Sequence, residues 1–134
     1  MYFASVAWLR GRLYLTGGNG GHDKQVLCWD PAAKPGAGWR RMADLLVVRR
    51  THAAVVLGGA LYVLGGTTSG GVGLASVERY DPDQDKWLAV APMSTVRNNV
   101  AAAVLDGRII AVGGEDNGSN ILRSCDSYDP GTDK

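Results

Sequence analysis

The sequence predicts an all-β fold of repeated four-stranded sheets, and three observations predict it. Paired glycines recur at a fixed interval, as Gly17-Gly18, Gly65-Gly66 and Gly113-Gly114, with 65 − 17 = 113 − 65 = 48. Other residues keep the same interval: Trp39 and Trp87, Asp81-Pro82 and Asp129-Pro130, Arg49 and Arg97. Between these marks, short runs of Val, Leu, Ile and Tyr are bounded by Gly, Pro, Asn and Asp, and no segment has helical periodicity of useful length. A fixed period of about 20 to 50 residues marks an array of supersecondary units that bury their faces against one another.

Each unit reads as four strands. The first lies within residues 5–11, 53–59 and 101–107, apolar runs that end in a turn. The second, in residues 12–16, 60–64 and 108–112, runs into the glycine pair, where side chains would crowd the adjacent sheet. After a polar loop the third strand follows in residues 25–29, 76–80 and 124–128, each closed by Asp-Pro. The fourth opens at tryptophan, as in residues 87–91. Unit boundaries then fall at about 1–48, 49–96 and 97–134, the third lacking its last strand. Leu61-Tyr62-Val63-Leu64 is apolar throughout, so both faces of that strand must be covered. Small sheets stacked face to face around an axis would cover them.

Gly59-Ala-Leu-Tyr-Val-Leu-Gly-Gly66, Ser76-Val-Glu-Arg-Tyr-Asp-Pro82, Asp85-Lys-Trp87, Ala91-Pro-Met93 and Arg97 together resemble the kelch repeat, in the form found in BTB-kelch proteins. The resemblance covers essentially the whole chain and implies kelch-type β-propeller blades in an incomplete arc of about three. The middle repeat matches best. The first departs most, with Trp29 for the usual tyrosine, a shorter loop before Asp30 and a longer segment from Asp30 to Trp39. Kelch blades close into rings of typically 4–8. The 134 residues hold under three units, which leaves two expectations: part of a longer propeller, or two copies associating into a ring through exposed blade faces. Met1 falls at the repeat position of Arg49 and Arg97, which favours the first.

Composition excludes several classes. Fourteen basic and thirteen acidic residues give a net charge of +1, so no bulk attraction to nucleic acid or anionic lipid is implied. No run of 18 apolar residues suggests a membrane span, and the N-terminus lacks the order of a signal peptide. Cys28 and Cys125 lie in third strands, two positions out of register, so free thiols and a cytoplasmic location are expected. Asn117-Gly118-Ser119 fits a glycosylation acceptor, relevant only on secretion.

No cofactor or metal is expected. Asp81-Pro-Asp-Gln-Asp85 starts like a calcium loop, but Lys86 and Pro92 occupy the positions of its glycine and glutamate. His22 and His52 have no partner at zinc-ligand spacing, and the run Gly71-Val-Gly73-Leu-Ala-Ser76 lacks the last glycine and the helix of a dinucleotide fingerprint. No Ser or Cys has a credible paired base, so the chain is not expected to be an enzyme. The glycine pairs, Trp39 and Trp87 read as framework, with both tryptophans opening a fourth strand and packing between blades; Trp8 lies in a first strand.

In a propeller, the loop after the glycine pair and the segment leading into the next first strand emerge on one face. Here these are residues 19–24, 67–73 and 115–120, with 45–51 and 94–99. Loops on a rigid scaffold commonly carry binding chemistry. By resemblance to peptide-binding kelch-like proteins, the candidate contacts are Arg50 and Asn98, then Asn19, Thr67 and Glu115 after the glycine pairs, and Arg79. Arg49 and Arg97 read either as further contacts or as framework; arginine forks suit carboxylates of acidic peptides. The resemblance implies a protein-interaction module, the substrate-recognition part of an adaptor that reaches a cullin ubiquitin ligase through a BTB domain outside this chain. A cytoskeletal, actin-binding kelch protein is the alternative, and a kelch-fold enzyme such as a sugar mutarotase a third reading.

Overall fold

The computed structural model describes residues 2–134, and these contain eleven strands and no helix. Blade 1 is β1 (Ser5–Leu9), β2 (Arg12–Thr16), β3 (Val26–Trp29) and β4 (Arg40–Arg41). Blade 2 is β5 (Ala53–Leu57), β6 (Ala60–Leu64), β7 (Val77–Asp81) and β8 (Lys86–Val90). Blade 3 is β9 (Ala101–Leu105), β10 (Arg108–Val112) and β11 (Cys125–Tyr128). Each sheet is an antiparallel meander in chain order, and β1, β5 and β9 lie side by side. The expected all-β arc of kelch-type blades is therefore present.

The first two strands of each blade join through two residues, both at positive φ: Arg10 and Gly11 at 48° and 75°, Gly58 and Gly59 at 58° and 74°, Asp106 and Gly107 at 47° and 73°. That is the type I′ geometry whose twist matches the strands it joins. The glycine pairs meet a different need. A Cβ on Gly17 would lie 2.5 Å from the Arg49 carbonyl oxygen, and one on Gly65 the same distance from that of Arg97. The next amide in each pair uses that oxygen: Gly18 N–H donates to Arg49 O at 2.9 Å and Gly66 N–H to Arg97 O at 2.8 Å. Each pair is thus a backbone joint between one blade and the next.

Every residue of β6 is buried. Leu61 and Val63 pack with Leu9, Tyr14, Val26 and Tyr80 toward blade 1, whereas Ala60, Tyr62 and Leu64 pack with Val100, Ile109 and Ala111 toward blade 3. The core is two interlayers, and β6 supplies alternate residues to both. Trp87 belongs to the first and is 7% exposed, its Nε1–H donating to the Ala43 carbonyl at 3.0 Å.

Trp39 departs from the expectation that, like Trp87, it opens a fourth strand and packs between blades. It precedes β4 rather than opening it, is 46% exposed, and rests on Trp29 at a centroid distance of 6.5 Å. Residues 42–45 cover Trp87; among the described residues no equivalent segment crosses Trp39. Trp8 is more than half exposed.

Candidate functional site

The rim is assembled at the same repeat positions by two short backbone bridges and, in blade 1, a bridge closed through a side chain. Arg50 and Thr67 exchange N–H···O bonds of 2.9 Å in each direction, and Asn98 and Glu115 do so at 2.8 Å. In blade 1, Asn19 N–H donates to Tyr2 O at 3.0 Å, while Tyr2 N–H donates to Asn19 Oδ1 at 3.2 Å. Five predicted residues, Asn19, Arg50, Thr67, Asn98 and Glu115, are thereby lined up along one face, all partly exposed. Tyr2 joins them at the position 48 residues before Arg50, a signal present in the repeat but not used in the sequence reading.

The residues that follow, Phe3, Thr51 and Asn99, have φ of 58°, 54° and 52°. Left-handed backbone is unfavourable for a β-branched threonine, so the surrounding structure must hold Thr51 there. It does so by two bonds: Thr51 N–H donates to Phe3 O at 3.1 Å, and its hydroxyl donates to Asn98 Oδ1. The three blades are thus tied to one another along this face.

The charges are also anchored. Arg50 Nε and Nη2 both donate to Asp23 Oδ2, at 3.2 and 3.0 Å, leaving the guanidinium partly exposed beside Lys24, Val48 and Ser69 in an open basin. Asp116 accepts from the side chain and backbone of Asn120 and from Gly118 N–H, and these bonds hold its carboxyl below its ordinary value. Asn117 Oδ1 accepts from Gly73 N–H at 2.8 Å, linking the third loop to the second. The rim grades from basic around Lys24 and Arg50 to acidic around Glu115 and Asp116.

Arg49 and Arg97 take the framework alternative and not that of rim contacts: both are 0% exposed and neither reaches the rim surface. Arg49 Nε donates to Glu78 Oε2 at 2.9 Å, Nη1 to the carbonyls of Gly65 and Ser76 at 2.9 Å each, and Nη2 to Ser76 Oγ at 2.8 Å. Glu78 also accepts the amides of Leu46 and Val47. Burial draws Arg49 below its ordinary value, and the Glu78 charge opposes that shift. Arg97 repeats the arrangement with Asp126, Gly113 and Ser124. These forks brace the glycine joints from beneath. The acids that pair with them, Glu78 and Asp126, are themselves 48 apart, a signal the sequence reading passed over.

Arg79 is corrected too. It sits mid-strand in β7, opposite Tyr62 and Leu88, in a groove with Tyr128 and Gly58, away from the Arg50 and Asn98 bridges. Beneath the rim, His52 is 4% exposed, with Nε2 2.8 Å from Thr16 Oγ1 and Nδ1 without a partner. Burial first, then the Arg49 charge, lower its pKa to about 3, so the ring is neutral.

The sequence matches the model of the Kelch motif family over residues 49–94 and 97–134, more than half of its length. The chain belongs to the Kelch motif family. Its relatives include Kelch-like protein 23 of Pongo abelii, 38% identical over 79 residues, a match spanning 58% of this chain and 13% of that protein. Human Kelch-like protein 30 is 37% identical over 60% of this chain and 14% of its own length, and beta-scruin of Limulus polyphemus 33% over 61% and 10%. The kelch chain therefore spans only a small part of these relatives. The solved structure of YjhT superposes with a TM-score of 0.83 at 18% identity, over 98% of this chain and 49% of that one, which shows the shared fold. The two free cysteines are Cys28, buried, and Cys125, exposed. Among the described residues no helix is long and apolar enough to cross a membrane, and no cluster of three His, Cys, Asp or Glu side chains is positioned for a metal ion.

Proposed function

We propose that this kelch chain is a protein-binding module, the substrate-recognition part of a BTB-kelch adaptor that works in the cytoplasm. Its ligand is a protein or peptide lying across the Tyr2, Arg50 and Asn98 bridges; a BTB domain elsewhere in the full protein would bring the cullin ligase. The observation that carries this reading is the row of bridges, which presents Asn19, Arg50, Thr67, Asn98 and Glu115 on braced backbone. Preorganised polar groups lose little freedom on binding, so they favour recognition of a segment with matching donors and acceptors. The kelch-like relatives support the same class. Neither nucleic acid nor membrane is a proposed partner, given the net charge of +1.

The test is affinity capture with the wild-type chain and an Arg50→Ala/Asn98→Ala double variant, whose folding is checked by circular dichroism. Specific partners bound by the wild type should be lost from the folded variant. An unchanged set of partners would overturn the rim assignment, and recovery of mainly actin would favour the cytoskeletal reading.

A further inference from the structure

Asn117-Gly118, at the tip of the third rim loop, takes no part in the bridges. Both residues are exposed, and they are the central pair of a turn closed by Ser119 N–H on Asp116 O at 3.1 Å. A glycine after asparagine carries no Cβ beside its nitrogen, so that nitrogen can reach the asparagine side-chain carbon. Asp116 meets the nitrogen. Gly118 N–H donates to Asp116 Oδ1 at 2.8 Å, which sets a carboxylate on the proton of the nucleophile. Asn120 fixes that carboxylate: its backbone N–H donates to Oδ1 at 3.0 Å, and its Nδ2 to Oδ1 and Oδ2 at 3.1 and 3.0 Å. The same bonds keep Asp116 ionised at neutral pH.

A second donor meets the other reacting group. Gly73 N–H, from the neighbouring loop, donates to Asn117 Oδ1 at 2.8 Å. A main-chain donor at that point identifies Oδ1 as the oxygen and favours negative charge on it. The approach depends on glycine, because a Cβ on Gly73 would lie 2.8 Å from Asn117 Oδ1.

We propose that Asn117-Gly118 is a self-modification site, where the fold catalyses succinimide formation and converts the asparagine to aspartate or isoaspartate. The Gly118 nitrogen attacks Asn117 Cγ while Asp116 takes its proton; the N–Cγ bond forms, and charge gathers on Oδ1 against Gly73 N–H. The Cγ–Nδ2 bond then breaks, and the amide nitrogen leaves as ammonia with the proton that Asp116 held. Water opens the ring at either carbonyl. One water is consumed and one ammonia released, with no oxidation or reduction. The product adds a negative charge beside Glu115 and Asp116, and isoaspartate also lengthens the backbone at the Gly73 tie. The acidic end of the rim thus deepens as the chain ages, whatever ligand the rim takes.

The test ages the 134-residue chain in buffer and follows a mass gain of about 1 Da at residue 117 by peptide mapping. A free peptide of residues 114–121 carries Asp116 but lacks Gly73, and the folded chain should convert at least about threefold faster than it. A folded chain slower than the peptide would show that the fold protects the site, and would overturn the proposal. Asp116→Asn keeps an accepting oxygen for Gly118 and removes the base, so conversion of residue 117 should slow about tenfold or more at neutral pH. Its rate should rise about tenfold per pH unit, since hydroxide must then take the proton, whereas the wild type should be nearly flat from about pH 6 to 8. Residues 67–73 carry no charged side chain, and Arg97, beneath the glycine pair, is buried on Asp126. Glu115 and Asp116 are therefore the titratable groups at this loop, and Asp116 is the one that touches Gly118. Equal rates for wild type and variant, or equal pH slopes, would remove Asp116 as the base and overturn the proposal.

Discussion

Replacing Arg49 with methionine keeps much of the side-chain length and removes the charge from beneath the Gly65 joint. Four hydrogen bonds disappear, and Glu78, 1% exposed, keeps only the amides of Leu46 and Val47. Breaking a buried ion pair by removing one partner costs about 3–5 kcal/mol. Global stabilities of about 0.05–0.15 kcal/mol per residue make that a large share of the total. With a urea m-value near 2 kcal/mol/M, the midpoint should fall by about 1.5–2.5 M. Arg97→Met should cost less, about 1–3 kcal/mol, because Asp126 is 15% exposed and water can screen the remaining carboxylate. A double variant, Arg49→Met with Glu78→Leu, should regain part of the loss. Leu27 already occupies the Glu78 register in blade 1, although the Leu46 and Val47 amides lose their acceptor. Urea unfolding of all three variants decides it. If Arg97→Met is as damaging as Arg49→Met, or if the double variant is no better than the single, buried charge is not what braces the joint.

Other expectations follow from the same interlayers. His52→Val places the residue found at the equivalent Val100. The folded pKa of His52, about 3, lies below its unfolded value of 6.5, so the wild type should lose stability as pH falls from about 6.5, by up to about 1.4 kcal/mol per unit. The variant should lack that component, and an identical loss between pH 7.5 and 5.0 would refute it. Gly66→Ala should cost about 2 kcal/mol or more, because φ is +88° and the new methyl would lie 2.3 Å from Arg50 O. Gly58→Ala, also at positive φ but with open space around it, should cost about 1 kcal/mol. Thermal melts of the pair would show them equal if the joint can relax. Leu61→Ala should cost about 2–5 kcal/mol and Leu88→Ala, 62% exposed, under about 0.5, measured as urea midpoints.

The period made blades, turns and glycine joints legible because each depends on local chemistry that every unit must repeat. The all-apolar run of β6 announced two covered faces, and the structure supplies them. What the period could not show was which side of a repeated residue looks outward. Arg49 and Arg97 fit either a contact or a framework role by residue type, because an arginine alone does not reveal that a carboxylate waits across the joint; the matching interval of Glu78 and Asp126 decides it. Arg79 lies one residue after Glu78, and strand alternation sends it to the opposite face of the sheet. Trp39 and Trp87 share a repeat position but differ in what crosses them, which is a property of neighbouring units and not of the motif.

The two-sided burial of β6 has a consequence for how the surface moves. Its two faces are covered by different blades, so exposing it fully requires both to separate from it. Amide exchange should therefore be slower in β6 than in β8, where Lys86, Leu88 and Ala89 are exposed. Thr67 follows β6 by three residues, so its bridge to Arg50 hangs from the most deeply covered strand. A ligand crossing the rim would meet a fixed point there.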